Sequence, residues 1–318
     1  MSNRMLTFAT RRLVSSLAVL LGVAVLVFFM LQLVPGDPVR VALGTRFSQE
    51  SYDALRAASG LDRPLWEQFV GYITSAVRGD LGVSFRTGQP VTVLLLERLP
   101  ASLSLGLTAI LIALLISIPA GVFSALREGR AADAAVRVGS QVGVSVPDFW
   151  LGVLLILLFS ATFGLLPSSG YIAFGDDPLG WARSVTLPAL TAGLVAAAIM
   201  TRYVRSAVLD VKSAGFVRTA RSKGLSSRTV LLRHIMRAAL VPILTITGIQ
   251  LATIMSGLIV VEAVFAWPGI GSLVKDSVDA RDFPVVQGVI LLVAFFFLLV
   301  NLLVDLLYAV VDPRIRLS

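Results

Sequence analysis

Long apolar runs alternate with short charged ones along the chain. A helix needs about 20 apolar residues to cross a hydrocarbon layer. Stretches of that order run from 13 to 34, 101 to 126, 186 to 207, 240 to 261 and 285 to 311. A shorter sixth lies at 149–166, preceded by Pro147 and Asp148. The segment from Asp133 to Val146 then reads either as an interfacial helix or as the start of a longer, broken span. The pattern predicts an all-α polytopic membrane protein with about six transmembrane helices. Arg4, Arg11 and Arg12 near one end, and Arg314 and Arg316 near the other, place both termini in the cytoplasm. The arginines before the first run resemble those of a secretory signal. Leu13 to Val34 is too long for one and leads into Pro35-Gly36-Asp37-Pro38, so it is read as an uncleaved first span.

With that orientation, 36–99, 167–185 and 263–284 face outward, while 127–137 and 202–239 are cytoplasmic. The 202–239 stretch holds Arg202, Arg205, Lys212, Arg218, Arg221, Lys223, Arg228, Arg233 and Arg237 against the single acid Asp210. The 36–99 segment is long enough to fold partly by itself. In it Asp62 is placed to cap a helix, Pro64 suits the first turn, Leu65, Phe69, Ile73 and Ala76 recur at helical spacing, and Gly79 suits the end. No repeat and no low-complexity linker divides the chain, so residues 1–318 read as one membrane domain with an external cap.

Composition agrees, since 56% hydrophobic and 14% charged residues exceed what a soluble globule of 318 residues can hide. The net charge of +8 lies in the loops, as in a membrane protein, rather than in a nucleic-acid-binding face. There is no cysteine for a disulfide or thiolate site, and the one histidine, His234, makes an imidazole-rich metal site impossible within the chain. His234 is read as a surface or partner contact. None of Lys212, Lys223 and Lys275 sits in a phosphate-cradling glycine-rich loop. Asp37, Asp62 and Asp80 are too widely spaced for a calcium loop, and capping and turn roles account for them.

Two regions carry candidate chemistry. In the basic stretch, Phe216, Val217 and Ala220 lie on one side of a short helix, Arg218, Arg221 and Ser222 on the other, and Gly224 stops it. A second helix from Ser227 to Ala239 leads to Pro242 at the entrance of the fifth span. Such a short helix either enters a groove on a soluble partner or is simply a solvated basic loop. Within the fifth span Gln250, Thr253 and Gly257 recur at i, i+3 and i+7 with Ser256 beside them, a stripe suited to a pore wall or to helix packing. Asn301 and Asp305 are one turn apart on the sixth, where Asp305 is expected to pair with an arginine. Glu262, Phe265, Pro268 and Gly269 form an outer turn, read as a gate, a docking surface or a plain chain reversal.

The run from Phe216 to Leu225, with His234, Arg237-Ala238-Ala239-Leu240 and Pro242, resembles the cytoplasmic loop signature of permease subunits in the dipeptide, oligopeptide and nickel branch of ABC importers. Arg218 and Thr219 stand where the wider superfamily has Glu and Ala, while Ala220 and Gly224 fit. The same branch is resembled by Leu33 to Pro38, Gly60 to Leu65, Gly79 to Ser84, Ser145 to Gly152, Glu262 to Gly271, Arg281-Asp282-Phe283-Pro284, and Asp305 through Tyr308 to Asp312-Pro313-Arg314. The long outer segment points to the first of the two paralogous permeases of such systems. The resemblance implies a type I ABC importer permease fold in the cell membrane and a second homologous permease as partner. Two cytoplasmic ATPases would dock on Gly215, Phe216, Val217, Arg218, Thr219, Ala220, Arg221, Lys223, Gly224 and Leu225. An extracytoplasmic binding protein would deliver the solute. ATP and Mg would be used by those ATPases, with no cofactor and no catalytic residue on this chain. Dipeptides, oligopeptides, nickel chelates and other peptide-like cargo remain open. A stand-alone secondary transporter or channel explains the spans equally well, but the chain lacks the internal repeat or embedded proton-coupling groups such carriers use. An intramembrane enzyme would need a nucleophile and base pair or a metal motif, which the chain does not supply.

Overall fold

The computed structural model describes residues 2–44 and 47–311. Arg314, Arg316 and the Asp312-Pro313-Arg314 motif lie outside them. The described residues are overwhelmingly helical, with one isolated antiparallel bridge between Val83 and Pro90. In order they form α1 (Ser2–Gln32), α2 (Pro38–Leu43), α3 (Gln49–Ala58), α4 (Leu65–Val77), α5 (Val91–Leu126) and α6 (Ala131–Ser145). There follow α7 (Asp148–Thr162), α8 (Pro178–Lys212), α9 (Gly215–Ser222), α10 (Ser227–Val264), α11 (Ile270–Asp279) and α12 (Phe283–Val311). Two stretches wind as π-helix, Ile156–Thr162 in α7 and Val230–Ile235 in α10.

Five of these helices contain a segment long and apolar enough to cross a membrane: Thr10–Gln32, α5, α8, α10 and Phe283–Tyr308. The α6–α7 pair passes the same test together but is bent by 100°. The bend follows from sequence: Pro147 confines Val146 to extended backbone, φ −84° and ψ 124°, so α6 stops and α7 starts afresh at Asp148. Several helices outrun the expected apolar stretches. α5 begins at Val91 rather than near 101, and α8 continues through Arg202 and Arg205 to Lys212. Charged residues end a membrane span without ending its helix, because polar side chains tolerate helical backbone in water. The expected helix from Ser227 to Ala239 is likewise continuous with the fifth span, leaving Pro242 inside α10 rather than at its entrance.

The chain divides into two compact units. The first comprises the residues up to Ser102 together with Pro268–Leu298. Its core is Val91, Leu95, Ile270, Val285 and Val289. A Cβ at Gly288 would fall 2.6 Å from the Val91 side chain, so α12 approaches α5 through that glycine. Phe28 and Phe29 near the end of α1 pack on Phe69 of α4, with ring centroids 5.3 and 5.8 Å apart. The α4 helix starts where its periodicity predicts, but Pro64 stands just before it and Asp62 does not cap it. Asp62 is drawn instead to Arg56, whose Nε donates to it at 2.6 Å. Asp37 does cap, accepting from the amides of Val39 at 2.9 Å and Arg40 at 3.2 Å. Burial works against the charge of Asp37, but the Tyr52 hydroxyl and these amides hold it below the usual carboxylate range. Asp80 accepts from the amide of Gly82 at 2.9 Å, a turn role as expected.

Three separated motifs meet in this unit. Arg281, at φ 54°, reaches the carbonyl of Pro35. The buried carboxylate of Asp282 accepts from Ser84 Oγ at 2.5 Å and from the amides of Phe85 and Arg86 at 3.0 and 3.4 Å. Asp282 therefore holds the turn that returns from Ser84 to Pro90.

The second unit comprises Leu103–Trp267 and the chain from Leu299. Its axis is α8, which packs on α10, α6 and α7. Small buried residues, Ala189, Ala192, Gly193, Ala196 and Ala197, let neighbouring backbones close in. A Cβ at Gly193 would lie 2.8 Å from the Ala109 carbonyl, one at Gly121 2.9 Å from the Thr201 carbonyl, and one at Gly143 2.8 Å from the Ala198 Cβ. Within lipid no hydrophobic force separates helix from solvent, so this close backbone contact is what specifies the packing.

Candidate functional site

The helix α9 is short because its end is closed by a Schellman turn. Gly224, at φ 77°, donates to the Arg221 carbonyl at 2.9 Å, and Leu225 donates to the Ala220 carbonyl at 3.4 Å. Ser226 then caps α10 by accepting from the Thr229 amide at 3.3 Å. Val217 and Ala220, one turn apart, are buried in a cluster with Val204, Ala207 and Val208 of α8 and Val230, Ile235, Ala239 and Ile243 of α10. Phe216 does not join them: it is 50% exposed, and Leu225 is also exposed. This corrects the expected apolar side, since adjacent residues of a helix stand about 100° apart and cannot share a narrow face. Gly215, Arg218, Thr219, Arg221, Lys223 and Gly224 are exposed as well. The result is a surface of two apolar side chains among three cations, fixed from beneath by Val217 and Ala220.

A buried ion pair, unforeseen from the sequence, stands close by in the same unit. Asp133 of α6 is held by Arg205 of α8, Ser124 of α5 and the amide of Gly129. The one signal available was an acid, Asp133, between the arginines of the 127–137 segment. Reading Arg205 as part of a loop hid it, because a loop arginine needs no buried partner.

The expected stripe on α10 is divided by the structure. Gln250 is 5% exposed, whereas Thr253, Ser256 and Gly257 are exposed. The Thr253 and Ser256 hydroxyls donate to the carbonyls of Ile249 and Ala252 at 2.8 and 3.0 Å, and a Cβ at Gly257 would meet open space. Thr253, Ser256 and Gly257 are therefore small, internally satisfied and exposed among the described residues. At the end of α10, Glu262 and Phe265 are buried. The Phe265 carbonyl accepts from the Gly170 amide at 3.1 Å, and the Glu262 carbonyl from the Trp267 amide at 2.8 Å. Trp267 meets Tyr171 edge-on at 4.8 Å. Neither the Glu262 nor the Phe265 side chain reaches the surface of the chain, so they shape this turn from within. Pro268 is half-buried and Gly269, buried, precedes α11 in the first unit.

Residues 117–317 match the family described as binding-protein-dependent transport system inner membrane component. Residues 5–106 match the N-terminal model of such membrane components. The chain belongs to this family. As an inner membrane component of that kind, it is a multi-pass permease subunit of a binding-protein-dependent system, which disfavours the stand-alone carrier. It is 39% identical over 336 residues to the dipeptide transport system permease protein DppB of Escherichia coli K12, covering 98% of this chain and 99% of that one. It is 40% identical over 312 residues to the glutathione transport system permease protein GsiC of Escherichia coli O6:H1, covering 98% and 99%. Its fold is shared with a chain in inward-facing structures of the MetNI methionine ABC transporter, with TM-score 0.57 and 18% identity over 69% of this chain and 96% of that one.

Proposed function

We propose that this inner membrane component is one half of the channel of an ABC importer for dipeptides or oligopeptides, completed by a second, homologous permease. Two cytoplasmic ATPase subunits supply the energy, using ATP and Mg, and an extracytoplasmic binding protein delivers the solute. This chain catalyses no reaction and binds no cofactor; it converts the closure of the ATPases into a change of access across the membrane. Both termini are cytoplasmic, the segment from 36 to 99 is extracytoplasmic apart from the start of α5, and the stretch from 202 to 239 faces the ATPases. The exposed face of α10 at Thr253, Ser256 and Gly257, with Gln250 at its edge, lines the path. The Glu262 to Gly269 turn stiffens the outer gate. The peptide assignment is supported by relatives named for dipeptide and glutathione transport.

The observation that carries the coupling role is the two-sided placement of α9. Val217 and Ala220 tie it to α8 and α10, while Phe216, Arg218, Arg221 and Leu225 project outward. A helix placed so can fill a groove on a partner and pass the partner's displacement inward. The test is Phe216→Asp in the assembled transporter. ATPase subunits should no longer co-purify, and uptake should fall by roughly a hundredfold, as for a central apolar anchor, while the subunit stays in the membrane. Unchanged co-purification and uptake would remove α9 from the docking surface. Mass spectrometry of solute co-eluting with the companion binding protein identifies the cargo; absence of any peptide there contradicts the substrate assignment.

A further inference from the structure

Asp133 is 1% exposed, yet it lies in the first turn of α6, where a carboxylate would ordinarily be solvated. Arg205 grips both its oxygens, with Nε donating to Oδ1 at 2.8 Å and Nη2 to Oδ2 at 2.9 Å. Ser124 Oγ donates to Oδ1 at 2.6 Å and the Gly129 amide to Oδ2 at 3.0 Å. Arg137, more exposed, stands 3.7 Å away on the next turn of α6. One carboxylate thus ties together the end of α5, the turn after it, the start of α6 and the last third of α8. A second tie lies two turns further along α8, where Lys212 donates to the Ala125 carbonyl at 3.1 Å and to Glu128 at 3.2 Å. Only Ser213 and Ala214 separate Lys212 from α9.

A buried ion pair is a weak device for stability, because well-packed apolar side chains of similar size often serve as well. What a forked guanidinium on a carboxylate supplies is geometry: two parallel bonds fix both separation and direction. Arg205 cannot slide along α6 without leaving Asp133 buried and unpaired. The segment of α8 that carries α9 therefore moves with the α5–α6 turn or not at all.

We propose that Asp133 and Arg205 are positioning residues for transport, forming the rigid joint through which displacement of α9 reaches α6 and the bent helix beyond it. The proposal rests on α9 being the docking helix, and the two are separable. Docking is read from co-purification of the ATPases with Phe216→Asp, the joint from stoichiometry in complexes whose ATPases remain attached.

The experiment uses the complete transporter with its companion subunits in proteoliposomes and measures ATP hydrolysed per solute imported. Asp133→Asn keeps shape and removes the charge; Arg205→Lys keeps charge and removes the fork. In both, assembled complexes should continue to hydrolyse ATP while the ATP-to-solute ratio rises roughly tenfold, within the range of coupling between linked sites. Because the chain has no cysteine, Asp133→Cys with Arg205→Cys can be bridged by a short bis-thiosulfonate, each cysteine displacing a sulfinate to form a disulfide that a reductant later cleaves. The unbridged pair should be uncoupled, the bridged pair should regain most of its uptake, and cleavage should abolish it again. An unchanged ratio in assembled complexes of both single variants overturns the proposal even if their yield drops, since loss of yield alone is what a purely structural pair would produce. A bridged pair as uncoupled as the unbridged one overturns it too.

Discussion

Phe216 and Val217 are neighbours in the chain and opposites in environment, one half exposed and the other fully buried. Substitutions on the same helix therefore separate partner binding from folding. Ala220→Asp would put a charge without a partner into the cluster beneath α9, and is expected to destabilise by about 3 kcal/mol or more. Phe216→Asp, facing outward, should change stability by no more than about 0.5 kcal/mol. Thermal aggregation midpoints of the detergent-solubilised subunit check both: a clear drop for the first and none for the second. The short helix was legible in the sequence, but Phe216 was grouped with the anchors, because eight helical residues give too short a period to tell a core residue from an outward one. Asp62 is a similar case. Its position suits a cap, but Arg56, six residues earlier, offers a full charge where an amide offers a partial one.

The helices themselves were legible, since a run of some 20 apolar residues has few alternatives to crossing a membrane. Their ends were not, because Glu97 and Arg98 in α5 and Arg202 in α8 read as loop charges while remaining helical. The close approaches between helices were invisible for a different reason: small residues at Gly121, Gly143 and Gly193 give no periodic signal. Gly193→Ala would set a methyl 2.8 Å from a backbone oxygen that cannot swing away. Overpacking of about 1–3 kcal/mol is expected, measurable as a lower midpoint, whereas the same change at Gly257, which faces open space, should be silent. The link between Asp282 and the 84–90 turn spans nearly 200 residues, beyond any local pattern. Asp282→Ala leaves Ser84 and two amides without their acceptor, at about 1–3 kcal/mol for each buried group. The turn should open, and trypsin should cut after Arg86 several times faster than in the parent; an unaltered cleavage rate would mean the turn holds itself.

At the scale of the molecule, the family was legible because its motifs are scattered from Leu33 to the far end of the chain, so that no single helix had to carry the assignment. The proposed wall of the path was less so. The sequence put Gln250 and Thr253 on one stripe, while in the structure Thr253 faces outward and Gln250 is buried. In the assembled transporter, Thr253→Cys should react with a small aqueous thiol reagent and its rate should change with nucleotide. Gln250→Cys should react far more slowly in this conformation; equal rates would show that α10 turns on its axis during the cycle. The π segment Val230–Ile235 adds a constraint of its own. A π turn accommodates one residue more than the α-helix it interrupts, and each α-helical residue advances the winding by about 100°. That surplus indexes the elbow before it against the span after it. Deleting Leu232, which is 55% exposed and so removable without a void, would restore α winding and leave Ser226 and α9 in phase with the span, because the π turn already absorbs that residue. The spans should insert and the ATPases should stay seated, whereas deleting one residue from the regular α winding of the same helix would turn α9 by roughly a quarter revolution and cost the ATPases their seat.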